Sequence, residues 1–130
     1  MIDPHKAEAK SLVVVIAEDE PLIRMMAVDV LTEEGFEVIE AAHADEALAI
    51  LEAQAANIHM LFTDIHMPGS IDGLELAHHA RRYWPWIALL VASGKARPQS
   101  DEMPARSRFL SKPYHPSHVV AHVRELTAAE

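Results

Sequence analysis

The chain has no cysteine among its 130 residues, which excludes disulfides, thiol catalysis and zinc–thiolate sites. Basic side chains are scarce too: 11 against 20 acidic ones, a formal net charge of −9 with the nine histidines neutral. A surface of that sign repels nucleic acid, so no DNA or RNA partner is expected. Arg81 and Arg82 make a local basic spot too small to reverse the balance. Long hydrophobic runs are also missing. LVVVIA and IALLVA fall far short of a bilayer-spanning length, and the polar opening MIDPHKAEAK has no secretory apolar centre. No membrane partner is therefore expected, and the expected location is the cytoplasm. What remains is 50% hydrophobic and 24% charged, a globular composition at the length of one domain. The expectation is a single domain over 1–130, with its core at about 11–128.

Strand-like and helix-like segments alternate along the chain. Leu12–Ala17 is continuous and β-branched, as a strand buried on both faces should be. From Pro21 to Glu34 the period becomes helical: Leu22, Met26 and Val30 share a face, with Ile23 and Ala27 beside them. Pro21 suits the first turn and Gly35 the stop. FEVIEA, Phe36–Ala41, partly alternates and reads as an edge strand. Ala44, Ala47, Leu48 and Leu51 mark a second helix. IHMLFTD is a strand ending at Asp64, and a third helix starts near Asp72. Ile87–Ser93 and Arg108–Lys112 supply two more strands, and Val119, Val120, Val123 and Leu126 the face of a last helix. This alternation calls for a doubly wound α/β fold with a mostly parallel five-stranded sheet. Between Ser93 and Phe109, Pro98 and Pro104 interrupt a polar stretch. Each removes a helical donor, so a loop with at most one short helical turn is predicted.

The polar exceptions to this pattern share a position. Glu18 and Asp19 follow the first strand, Asp64 ends the third, Ser93 the fourth and Lys112 the fifth. In an open parallel sheet all the strand carboxyl ends lie on one edge, where ligands bind at the switch point. With strand order 2-1-3-4-5, Asp64 faces Glu18 and Asp19. Three crowded carboxylates repel, by roughly 4 kcal/mol per pair at about 4 Å and an effective dielectric near 20. Lys112 offsets one charge, and the rest suits a divalent cation. With oxygen ligands throughout, Mg²⁺ is the natural ion. A cation, a lysine and a serine hydroxyl around one strand-end carboxylate suit phosphoryl transfer to that carboxylate.

The motifs IAEDE, FTDIHMPGSIDG, LLVASG and FLSKPY, in this order, resemble the receiver domains of two-component response regulators, from Leu12 to the last helix. The resemblance implies a flavodoxin-like sheet of order 2-1-3-4-5. It implies that Asp64 accepts a phosphoryl group from a histidine kinase or histidine phosphotransfer protein, with self-catalysed transfer and autodephosphorylation and without being an enzyme proper. Mg²⁺ would be held by Asp19, Asp64 and the His66 backbone carbonyl, with Glu18 acting through water. Lys112 would pair with the phosphoryl oxygens. Ser93 and Phe109 would form the switch, and the Lys112–Pro113 peptide would be cis. The downstream protein target is left unknown and a homodimer open.

The chain departs from the common pattern in four places. MPGSIDG is one residue longer than the usual loop, Glu18 replaces a frequent aspartate, Phe109 has no hydroxyl, and the fourth helix is short or absent. No output domain fits within the chain. It is therefore expected to be a stand-alone receiver, a phosphorelay shuttle or phosphate sink, or a piece of a larger hybrid kinase or regulator. An aspartyl-nucleophile phosphatase is disfavoured, because His66 stands where such enzymes carry a second aspartate. A degenerate, never-phosphorylated binding module is disfavoured by the complete acidic, Ser and Lys set. His118 and His122 have metal-binding spacing without a third ligand and read as a solvated face. Of the adjacent His78 and His79, at least one should be exposed. Trp84 should pack beneath a loop. SGKA lacks the first glycine and the Ser/Thr of a phosphate-binding loop.

Overall fold

A computed structural model describes residues 12–95 and 97–128. Five strands, β1 (Val13–Ala17), β2 (Glu37–Ala41), β3 (Met60–Asp64), β4 (Ala88–Ser93) and β5 (Ser107–Ser111), form one sheet in the order β2-β1-β3-β4-β5. Every pairing is parallel. The helices are α1 (Pro21–Glu33), α2 (Ala44–Gln54), α3 (Gly73–Tyr83) and α4 (Pro116–Ala128). The doubly wound fold and its strand order are those expected from the sequence, with β2 at an edge. The expected start of the core near residue 11 lies outside the described residues.

Alternate side chains along each strand feed two cores, as the period of two requires. Val13, Val15 and Ala17 of β1, Leu61 of β3 and Leu89 and Val91 of β4 pack with Leu51 of α2 and Leu76 of α3. Val14, Ile16, Phe62, Leu90 and Leu110 pack on the opposite face with Ala27 and Leu31 of α1 and Val119 and Val123 of α4. β1, β3 and most of β4 are buried throughout. That explains why they read as unbroken apolar runs.

Helix ends follow local chemistry. Asp72 caps α3 in a reciprocal box with Glu75. Gly35, at φ 95°, closes α1: its N–H reaches the Thr32 carbonyl and the Phe36 N–H the Leu31 carbonyl, a Schellman stop. The face expected for α1 is corrected. Ala27 and Leu31 are its buried residues, while Leu22 is 79% exposed. The buried row thus lies one residue step round the helix from the Leu22, Met26 and Val30 row.

Between β4 and β5 the described residues make only the short helical turn Ser100–Glu102, in keeping with the prolines. Arg81 of α3 pins this connection. Its guanidinium donates to the carbonyls of Ala105 at 2.8 Å, Pro85 at 2.8 Å and Ile87 at 3.0 Å. The exposed His78 adds a contact from Nε2 to the Glu102 carbonyl at 2.6 Å. Trp84 is partly buried against the first core. His118 is exposed and His122 partly buried.

Candidate functional site

Four of the five strands deliver a polar group to the carboxyl edge of the sheet. Asp64 is the last residue of β3. Glu18 and Asp19 follow β1, whose neighbour is β3. Carboxylate oxygens of Glu18, Asp19 and Asp64 all lie within 4.8 Å of one another. Lys112, one residue past β5, reaches over β4 to contact Glu18 at 2.5 Å and Asp64 at 3.3 Å. Ser93, the last residue of β4, is buried, and its Oγ accepts from the Lys95 N–H at 3.0 Å. The sequence-selected groups thus converge. β5 ends one residue earlier than expected, so Lys112 belongs to the loop.

Burial sets the electrostatics. Asp64 is 6% exposed and Glu18 3%, and removal from water raises the pKa of both carboxyls. Lys112 opposes this at both, while Asp64 adds to the rise at Glu18 and Asp19 to that at Asp64. For Lys112 burial disfavours the charged form, but the Glu18 hydrogen bond and the Asp64 charge outweigh it, and its pKa rises. Three carboxylates and one ammonium leave about two negative charges in a small volume, and every available donor is a carboxylate or carbonyl oxygen. That donor set fits a hard divalent cation.

Several supporting residues escape a reading of the sequence. Arg24 of α1 donates to the Glu18 carbonyl at 2.7 Å and to Glu40 at 3.2 Å, anchoring the loop after β1. Gly73 packs directly on the end of β3: a Cβ there would lie 1.7 Å from the Asp64 carbonyl oxygen. The side chain of Thr63 donates to that same carbonyl at 2.8 Å. Tyr114 meets Phe62 edge-on at 5.7 Å. With Ile23, Met26, Gly94, Lys112 and Pro113 it lines an apolar cleft of about 310 Å³. The Lys112–Pro113 peptide is cis, as the resemblance implied. Phe109 is buried, with the Arg97 guanidinium 5.3 Å from its ring centre. Of the residues the sequence reading passed over, Arg24, Gly73, Thr63 and Tyr114, Gly73 alone carried a signal, as a glycine opening a helix right after a capping aspartate. His66, two residues past Asp64, is exposed.

The model of the response regulator receiver domain matches residues 14–124. The chain belongs to the response regulator receiver family. Among curated relatives of this receiver, the sensor kinase CckA of Brucella abortus is 33% identical over 119 residues, covering 89% of this chain and 12% of the kinase. The transcriptional regulatory protein PdtaR of Mycobacterium tuberculosis is 32% identical over 127 residues, 90% of this chain and 60% of that protein. The chain therefore spans only part of the length of these relatives. Among solved structures, a receiver domain from the hybrid histidine kinase CckA is similar with a TM-score of 0.77 and 33% identity, over 88% of this chain and 98% of that one. A response regulator receiver protein from Sinorhizobium medicae reaches 0.86 at 26% identity, over 92% and 97%. The receiver is a signalling domain, and the acidic cluster fits the place of a phosphoacceptor. Among the described residues no helix is long and apolar enough to cross a membrane.

Proposed function

We propose that this receiver takes a phosphoryl group onto Asp64 in a Mg²⁺-dependent reaction and passes the signal on through protein contacts. The observation that carries the reading is the approach of Lys112 to both Asp64 and Glu18 across the mouth of the acidic cluster. An Asp64 oxygen attacks the phosphorus of a phosphohistidine, the phosphorus–nitrogen bond breaks, and the imidazole leaves with the electron pair and takes up a proton. The product is an aspartyl phosphate, which water later hydrolyses. Lys112 pairs with the phosphoryl oxygens, and the Ser93 hydroxyl leaves Lys95 to donate to one of them.

Asp19, Asp64 and the His66 carbonyl would hold the metal directly and Glu18 through water. Bound there, Mg²⁺ neutralises charge on the phosphoryl oxygens. The added charge of about −1.5 to −2 then biases Ser93 and Phe109 toward a second arrangement. The phosphodonor is a histidine kinase or phosphotransfer protein in the cytoplasm. The apolar cleft and the neighbouring exposed Leu22 and Met25 give it a surface to dock on. This is self-catalysed transfer in a single receiver domain, not turnover of an outside substrate. The likeness to CckA favours one further reading, that the chain works as a receiver inside, or in relay with, a larger kinase.

The test is binding of beryllofluoride with Mg²⁺, followed by fluorine NMR. Saturable binding by the native protein and none by Asp64→Ala is expected. Binding that survives Asp64→Ala would place the chemistry elsewhere.

A further inference from the structure

The loop from Ile65 to Gly73 is tied at both ends: the Ile65 N–H bonds the Ala92 carbonyl at 2.9 Å and the Gly73 N–H the Ile65 carbonyl at 2.8 Å. Its middle is held from another element. Asp45, in the first turn of α2, accepts the Ser70 backbone N–H at 2.9 Å through Oδ2 and the Ser70 hydroxyl through Oδ1. Gly69 lies against the same carboxylate at φ 132°, and a Cβ there would come within 2.4 Å of Oδ2. Gly69 and Ser70 lie in the stretch that makes this loop one residue longer than usual.

The capping bonds of α2 are made by other residues. His43 caps α2 by accepting the Glu46 N–H at 3.2 Å, and Glu46 accepts the Ala42 N–H at 3.1 Å. The Asp45 carboxylate is thus committed across to the loop. In keeping with this, the Ser70 hydroxyl and then the Ser70 N–H hold its carboxyl below the ordinary range.

We propose that Asp45 is a positioning residue for the divalent cation: by clasping Ser70 it fixes the Ile65–Gly73 loop so that the His66 carbonyl stands beside Asp64 as a ligand. The proposal rests on the metal-dependent reading above. Mg²⁺ demands near-ideal octahedral geometry, so a backbone ligand on a loosened loop contributes only for the fraction of time it is in place.

The experiment is Mg²⁺ titration by calorimetry of the native protein, Asp45→Ala, Ser70→Ala and the double variant, each also unfolded by urea in chelator. Expected for Asp45→Ala is about three- to tenfold weaker Mg²⁺ binding, with a urea midpoint in chelator close to the native one. The double variant should bind no more weakly than Asp45→Ala, because Asp45→Ala already removes both hydrogen bonds to Ser70, including the hydroxyl one that Ser70→Ala removes. Native affinity in Asp45→Ala, or losses that add independently in the double variant, would overturn the proposal while leaving the reading of the site intact. A native protein that binds no Mg²⁺ at all would instead overturn that reading, and the clasp's role with it. Ser70→Ala, which removes only a hydroxyl, keeps the test open if Asp45→Ala folds poorly.

Discussion

Replacing Asp64 by Asn should stabilise the metal-free protein while disabling it. In the fold Asp64 faces Glu18 and Asp19, with carboxylate oxygens within 4.8 Å, and Lys112 at 3.3 Å. At an effective dielectric near 20, each repulsion is worth at least about 3.5 kcal/mol and the attraction about 5 kcal/mol. The balance is at least about 2 kcal/mol of net repulsion, before the cost of keeping a carboxylate 6% exposed is counted. The raised carboxyl pKa of Asp64, caused first by burial, has the same sign. Asn keeps an oxygen for Lys112 and sheds the charge. Thermal unfolding in chelator should then show Asp64→Asn melting about 5–10 °C above the native protein. Excess Mg²⁺ should narrow or reverse that order, since a ligand at a hundred times its Kd stabilises its folded host by about 2.7 kcal/mol. A variant less stable than the native protein in chelator, with no Mg²⁺ effect on either, would refute the reasoning and make Asp64 an ordinary structural carboxylate.

Three further outcomes follow from the packing. Gly73→Ala forces a methyl into the Asp64 carbonyl and should cost about 3 kcal/mol or more by urea unfolding; a neutral effect would mean that α3 can slide freely on β3. Arg81→Ala abandons the carbonyls of Ala105, Pro85 and Ile87 and should cost about 2–3 kcal/mol. Arg81→Lys should rescue it only in part, because an ammonium lacks the planar fork. His122, whose Nδ1 is buried without a partner, has its pKa lowered below 6.5 by burial and then by Arg108. Its neutral form is favoured in the fold, so its contribution is full above about pH 6.5 and is lost as the pH falls through the lower folded value. Urea midpoints at pH 7.5 and 5.5 should therefore fall further for the native protein than for His122→Gln, and an equal fall would contradict the assignment.

Most of the site could be read from the sequence because a parallel sheet gathers strand ends on one edge. Asp64, Ser93, Lys112 and the Glu18–Asp19 pair needed only their strands to be recognised, and unbroken runs such as Val13–Ala17 made that simple. Pro98 and Pro104 likewise announced the missing helix through their own covalent geometry. The supporting contacts were hidden for a common reason: their partners are backbone atoms or distant residues. Arg81 sits in an apolar row with Leu74 and Ala77 and betrays nothing of the carbonyls it binds. Asp45 looks like an ordinary first-turn acid, although Ser70 is 25 residues away. On α1 the Leu22, Met26 and Val30 row fits the helical period, yet the buried row is the neighbouring one that holds Ala27 and Leu31. Periodicity places a stripe to within about one residue step, and packing decides the rest.

The central claim, that Asp64 is a phosphoacceptor, is tested most directly by the intact mass of the protein after incubation with a small acyl-phosphate donor, with and without Mg²⁺, beside Asp64→Asn. The expected result is a gain of one phosphoryl group that needs Mg²⁺ and is absent from the variant. A gain that persists in Asp64→Asn, or no gain under conditions that modify a known receiver, would contradict it.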